Sequence, residues 1–95
     1  MDIALSDIVV SLAGRDKGKL FLVAGTEKDF LLIADGKGRK LEKPKRKKRK
    51  HLRLMSKSDS PAAEKIRNGG KVINSEIRRA LAEYSEAADG QNRGG

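Results

Sequence analysis

The 95-residue chain has no cysteine and no tryptophan, and only one histidine, one tyrosine and two phenylalanines. Without thiols it can form neither a disulfide nor a thiolate metal centre, which is compatible with a cytoplasmic home. With 37% hydrophobic residues and so few aromatics, any core must be aliphatic and modest, enough for one small domain. No apolar run approaches the roughly 20 residues needed to cross a bilayer as a helix. The opening "MDIALSDIVV" has two early acids and no leading positive charge, so no secretory signal is expected.

Catalytic groups are equally scarce. His51 sits inside the basic run with no partner acid beside it, and it reads as a packing or single-hydrogen-bond residue before it reads as a general base. Asp7, Asp16, Asp29 and Asp35 fall at strand edges and turns, where aspartate usually bonds local backbone. "GRDKGKL" (14–20) is no phosphate-binding P-loop: three residues separate its glycines instead of four, and Leu20 stands where Ser or Thr would hold magnesium. No enzymatic activity, metal, cofactor or small-molecule substrate is expected.

Positive charge is abundant, and it is concentrated. The net charge is +9. Residues 1–36 hold four Lys/Arg and six acids, and residues 54–95 hold seven and six. Residues 37–53 hold eleven Lys/Arg and a single acid, Glu42, so this one segment supplies the excess. A focused basic patch on a near-neutral domain implies a polyanionic partner, nucleic acid first. "KPKRKKRK" (43–50) could also be a solvated loop or a nuclear address, but Pro44 stiffens its start and "HLRLM" resumes apolar character at once. Membrane-surface binding fits less well, because no amphipathic helix adjoins the run.

Three runs rich in branched aliphatics, "DIVVSL" (7–12), "KLFLVAG" (19–25) and "DFLLIAD" (29–35), have strand length and turn residues at their ends. A short "RKLE" (39–42) and "HLRLM" (51–55) bring the number to five, which predicts a mainly β fold, a small barrel over residues 1–56 with a basic loop at 43–50. The first three runs are continuously apolar, so their second face needs a cover. The helical extension over 57–90 offers one. "SPAAEKIRNGG" has Ser60 as N-cap, Pro61 at the first helical position and Gly69 to end the turn. "NSEIRRALAEYSEAAD" (74–89) carries a stripe of Ile77, Leu81, Tyr84 and Ala88, which fits either the barrel or, through residues 74–88, a protein partner. Residues 91–95 read as a flexible tail.

Platforms for base stacking are nearly missing. Phe21 and Phe30 lie within strands and read as core, and Tyr84 lies on the helix stripe. Sequence-specific reading of single strands is therefore not expected. Recognition of structured RNA through backbone and shape suits a patch of Lys and Arg.

"DIVVSLAGRDKGKLFLVAG" (7–25) resembles a KOW motif, in which a strand, a glycine-bearing basic loop and a second strand recur. The matching loop positions are Gly14, Arg15, Lys17, Gly18 and Lys19. The likeness runs on through "FLLIADGKGRKLEKPKRKKRKHL" (30–52), which is similar to bacterial KOW-domain RNA-binding proteins and to single-KOW large-subunit ribosomal proteins of archaea and eukaryotes. It covers residues 5–55. Many KOW motifs place glycine where Phe21 stands, and that departure points to the single-KOW ribosomal type. The resemblance implies an SH3-like barrel, RNA as ligand (ribosomal RNA first), no catalysis, and a ribosomal or ribosome-associated role. A second reading is a protein-interaction adaptor of the transcription elongation machinery. Together with the charge distribution it makes the candidate RNA contacts Arg15, Lys17, Lys19, Lys37, Arg39, Lys40, Lys43, Lys45, Arg46, Lys47, Lys48, Arg49, Lys50, His51 and Arg53.

Overall fold

In the computed structural model, which describes residues 2–93, the three apolar runs form strands β1 (Ile8–Ser11), β2 (Leu20–Thr26) and β3 (Phe30–Ala34). Strands β4 (Lys45–Lys48) and β5 (Leu52–Ser56) complete one antiparallel sheet in the order β4-β3-β2-β1-β5. The two edge strands are consecutive in sequence, joined only by a 3-10 turn at Arg49–His51. Three residues cannot span a flat five-stranded sheet, so the sheet must curl until its edges approach. Irregularities at Ile8/Val9 and Val23/Gly25 help it bend. The result is a small barrel-like fold, mainly β, not closed by hydrogen bonds between β4 and β5.

Strands β1 and β2 are covered on both faces, whereas the outer side chains of β3, Phe30 and Leu32, stay half-exposed. Val9, Phe21, Val23, Leu31 and Ile33 point inward and, with Ile3 and Leu52, form the barrel interior. The alternate residues Ile8 and Leu22 point outward. They meet Ile77 and Leu81 of helix α2 (Asn74–Arg93), with Leu20, Ile66, Val72 and Tyr84 at the margin. This explains why these strands do not alternate in polarity: each side chain buried on either face stabilises by about 1.5–3 kcal/mol. Of the two occupants open to the helix stripe, its own sheet takes Ile77 and Leu81. Among the described residues no helix is long and apolar enough to cross a membrane.

Helix α1 (Pro61–Arg67) begins as its sequence predicts: Ser60 Oγ accepts from Ala63 N at 3.2 Å, with Pro61 in the first turn. Helix α2 starts at Asn74 but continues past Asp89 to Arg93, since a single glycine at position 90 costs only about 1 kcal/mol in a helix. The expected tail at 91–95 is thus helical as far as Arg93, and residues 94 and 95 lie outside the described part. The fourth strand also differs from expectation. Residues 39–42 form a turn, closed from Lys43 N to Lys40 O at 3.0 Å, and the strand falls inside the basic run. Of the expected basic loop at 43–50, only Lys43 and Pro44 are irregular; the rest is strand and 3-10 turn. A strand of "KRKK" is tolerated because Lys45 and Lys47 find acceptors at the end of β1 and in the loop after it, while Arg46 and Lys48 face outward at a sheet edge, where charged side chains also blunt edge-to-edge association.

Candidate nucleic-acid interface

The loop after β1 is held by backbone bonds from Lys17 N to Gly14 O (3.2 Å), Gly18 N to Ser11 O (2.8 Å) and Lys19 N to Asp16 O (2.8 Å). Gly14 (φ +78°) and Gly18 (φ +88°) take the left-handed backbone that this tight path requires. Arg15, Lys17 and Lys19 are exposed, while Asp16 turns inward and is only 8% exposed. Its carboxylate lies 2.8 Å from Lys45 Nζ, 3.8 Å from Lys19 Nζ and 3.9 Å from Arg39 Nη2. The hydrogen bond from Lys45 holds the Asp16 pKa below its ordinary value; burial opposes this, and the charges of Lys45, Arg39 and Lys19 add to it. One buried acid thus ties three basic segments together: the loop after β1, the turn after β3, and β4.

The turn after β3 is organised by Asp35, whose Oδ1 accepts from Lys37 N (2.9 Å) and Arg39 N (2.8 Å). Helix α2 braces it from behind. Asn74 Oδ1 accepts from Leu41 N at 2.8 Å, Asn74 Nδ2 donates to the Glu42 carboxylate, and Arg78 donates to the Gly36 carbonyl. Gly36 has φ +75°, and a Cβ there would stand 2.3 Å from the Asn74 carbonyl oxygen. Lys37, Arg39, Lys40 and Lys43 consequently project from a supported turn. Its Lys37 and Gly38 face Gly18 and Lys19 of the first loop across an open cleft.

Along β4 the side chains divide by face. Lys45 and Lys47 lie opposite Ile33 and Leu31 and point inward; Arg46 and Lys48 point outward, opposite Leu32 and Phe30. Lys47 is buried and donates to Ser11 Oγ and to Ala13 O, both at 2.7 Å, fastening one edge of the barrel to the end of β1. Burial lowers its pKa and the neighbouring Lys45 charge lowers it further, against the pull of Asp16. Half-buried Arg49 grips the carbonyls of Glu27 (3.1 Å), Lys28 (3.0 Å) and Ile3 (3.0 Å). These two predicted contacts are therefore structural clasps: an inward strand position in one case and unpaired turn carbonyls in the other have claimed them. His51 sits half-buried in the 3-10 turn, its carbonyl accepting from Leu12 N at 2.8 Å. Arg53 is exposed on β5, the opposite edge strand.

Of the exposed candidate cations, Lys19 and Arg39 reach Asp16, and Arg15, Lys17, Lys37 and Lys40 lie on the same two loops, with Lys43 leading into β4. Arg46 and Lys48 lie on the outer face of β4, Lys50 follows in the 3-10 turn, and Arg53 stands apart on β5. Among the described residues Arg15, Lys17, Lys37, Lys40, Lys43, Lys48, Lys50 and Arg53 enter no ion pair, whereas Arg46 pairs with Glu27 Oε1 at 2.8 Å. Two residues escaped the sequence reading. Asp16 resembled any turn aspartate, although it is the only acid in a loop with basic residues on both sides. Phe30 is not core: it lies half-buried on the outer face with the Arg46 guanidinium 3.6 Å from its ring centroid. No group of acids and histidine among the described residues is arranged to hold a metal ion. Neither a family model nor a curated protein matches this chain.

Proposed function

We propose that this chain is a non-enzymatic RNA-binding protein that engages structured RNA, ribosomal RNA first, through backbone phosphates, as a ribosomal or ribosome-associated component of the cytoplasm. The observation that carries this reading is that the buried Asp16 carboxylate draws together two basic loops and β4 through Lys19, Arg39 and Lys45, while Arg15, Lys17, Lys37 and Lys40 on those loops and Lys48 on β4 enter no ion pair among the described residues. Phosphate recognition needs cations held at fixed spacing with little ordering left to do on binding. The Asp16 hub, the Asp35 turn and the Asn74 brace supply that rigidity. The resemblance of residues 5–55 to single-KOW ribosomal proteins supports the same ligand, and a lysine-dense surface suits RNA better than the core of a protein interface, where lysine is depleted.

Ultraviolet crosslinking of the full chain in cells, followed by sequencing of the attached RNA, tests the proposal. Recovery of a discrete set of structured, chiefly ribosomal, segments is expected. Crosslinking no stronger than that of a charge-neutralised variant at Lys37, Lys40, Lys43, Lys48 and Lys50 overturns it.

A further inference from the structure

Beside the ring of Phe30 lies a cleft of about 540 Å³ walled by Asp29, Phe30, Lys48, Arg49 and Lys50. That size suits a small organic group, since ligand pockets run from roughly 300 to 1,000 Å³. Its frame is fixed. Arg49 N donates to Asp29 O at 3.0 Å, and the Arg49 guanidinium holds the carbonyls of the β2–β3 turn on one side and that of Ile3 on the other. Arg46 already stacks on the ring, so the outer face of β3 and β4 presents an aromatic and guanidinium surface instead of aliphatic cover.

The charges around the cleft discriminate between the parts of a nucleotide. Lys48 and Lys50 are exposed and suit phosphate, but the Asp29 carboxylate at the rim repels phosphate and accepts hydrogen bonds from a base amino group. An aromatic ring, flanking ammonium groups and a lone acceptor are the chemistry that holds an unpaired base. We propose that this cleft takes one unpaired nucleotide of the bound RNA, its base stacked against Phe30 and its flanking phosphates on Lys48 and Lys50. The proposal rests on the RNA-binding reading and adds to it a preference for bulged or looped RNA over continuous duplex.

The test uses the full chain and an RNA hairpin carrying a single bulged 2-aminopurine, beside the same hairpin fully paired, at low ionic strength. Wild-type protein is expected to bind the bulged hairpin about tenfold more tightly, as stacking on an aromatic side chain allows, and to quench the 2-aminopurine emission. Phe30→Leu should bring the bulged hairpin down to the affinity of the paired one and leave the paired one unchanged. Lys48→Ala should weaken both. If Phe30→Leu lowers thermal stability too far to assay, Asp29→Ala replaces it and should weaken the bulged hairpin alone. Equal wild-type affinity for the two hairpins, or unquenched emission in the complex, overturns the base site while leaving RNA binding intact. Failure to bind either hairpin overturns the functional reading, and the base site with it.

Discussion

Asp16 Oδ2 accepts a 2.8 Å hydrogen bond from Lys45 Nζ, twenty-nine positions further along the chain. The bond places a basic loop and a basic strand at the same end of the barrel and neutralises one cation of the cluster in doing so. The Asp16 pKa lies below the ordinary 3.8, so the contribution of this bond is fully present above pH 3.8 and is lost as pH falls through the lowered value. Asp16→Asn is expected to cost about 1 kcal/mol near neutral pH, discounted because Lys45 is partly exposed, and to lower Tm by about 4–8 °C in a domain this small. Melting curves from pH 7 down to pH 2 should show the gap between the two proteins closing below pH 3.8. A gap that stays constant with pH contradicts the hub.

Lys47 and Lys48 are neighbours with opposite duties. Lys47→Ala removes an ammonium that binds Ser11 Oγ and Ala13 O inside the barrel, and should lower stability by about 2 kcal/mol in urea titration. RNA affinity measured on the folded fraction should hardly change. Lys48→Ala should leave the urea midpoint in place and weaken RNA binding several-fold. Finding the two variants alike in both measurements contradicts the division by face.

Much of this fold was legible in the sequence, because its signals are local. The Ser60-Pro61 helix start, the stripe of Ile77 and Leu81, and three aliphatic runs each depend on residues close together in the chain. The strand at Lys45–Lys48 was not legible, since nothing near "KRKK" indicates that Ser11 at the end of β1, and Ala13 and Asp16 in the loop after it, supply acceptors for its inward lysines. For the same reason composition identified the candidate site as a segment but could not separate cations facing solvent from Lys47 and Arg49. Phe30 was misplaced because a phenylalanine in a strand gives no sign of which face it occupies until register is known; here it pairs with Lys48 on the outside.

The turn that carries Lys37, Arg39 and Lys40 depends on α2. Gly36→Ala would place a Cβ against the Asn74 carbonyl in a backbone conformation that alanine resists, at a cost of about 1–3 kcal/mol. Leu81→Ala, on the helix face buried against the sheet, should cost about 2–3 kcal/mol. Both should lower the Tm of the isolated protein. An unchanged Tm for Leu81→Ala would mean that the stripe does not pack on the barrel in solution.

The central claim is that the cations projecting from the turn after β3 and from β4 neutralise phosphates, and the salt dependence of RNA affinity tests it most directly. With about five phosphates neutralised, at 0.7–0.9 per contact, a plot of log K against log salt concentration is predicted to have a slope near −4, and replacing Lys40 and Lys48 with alanine should make it shallower by about 1–2. A wild-type slope shallower than about −1 would contradict the account.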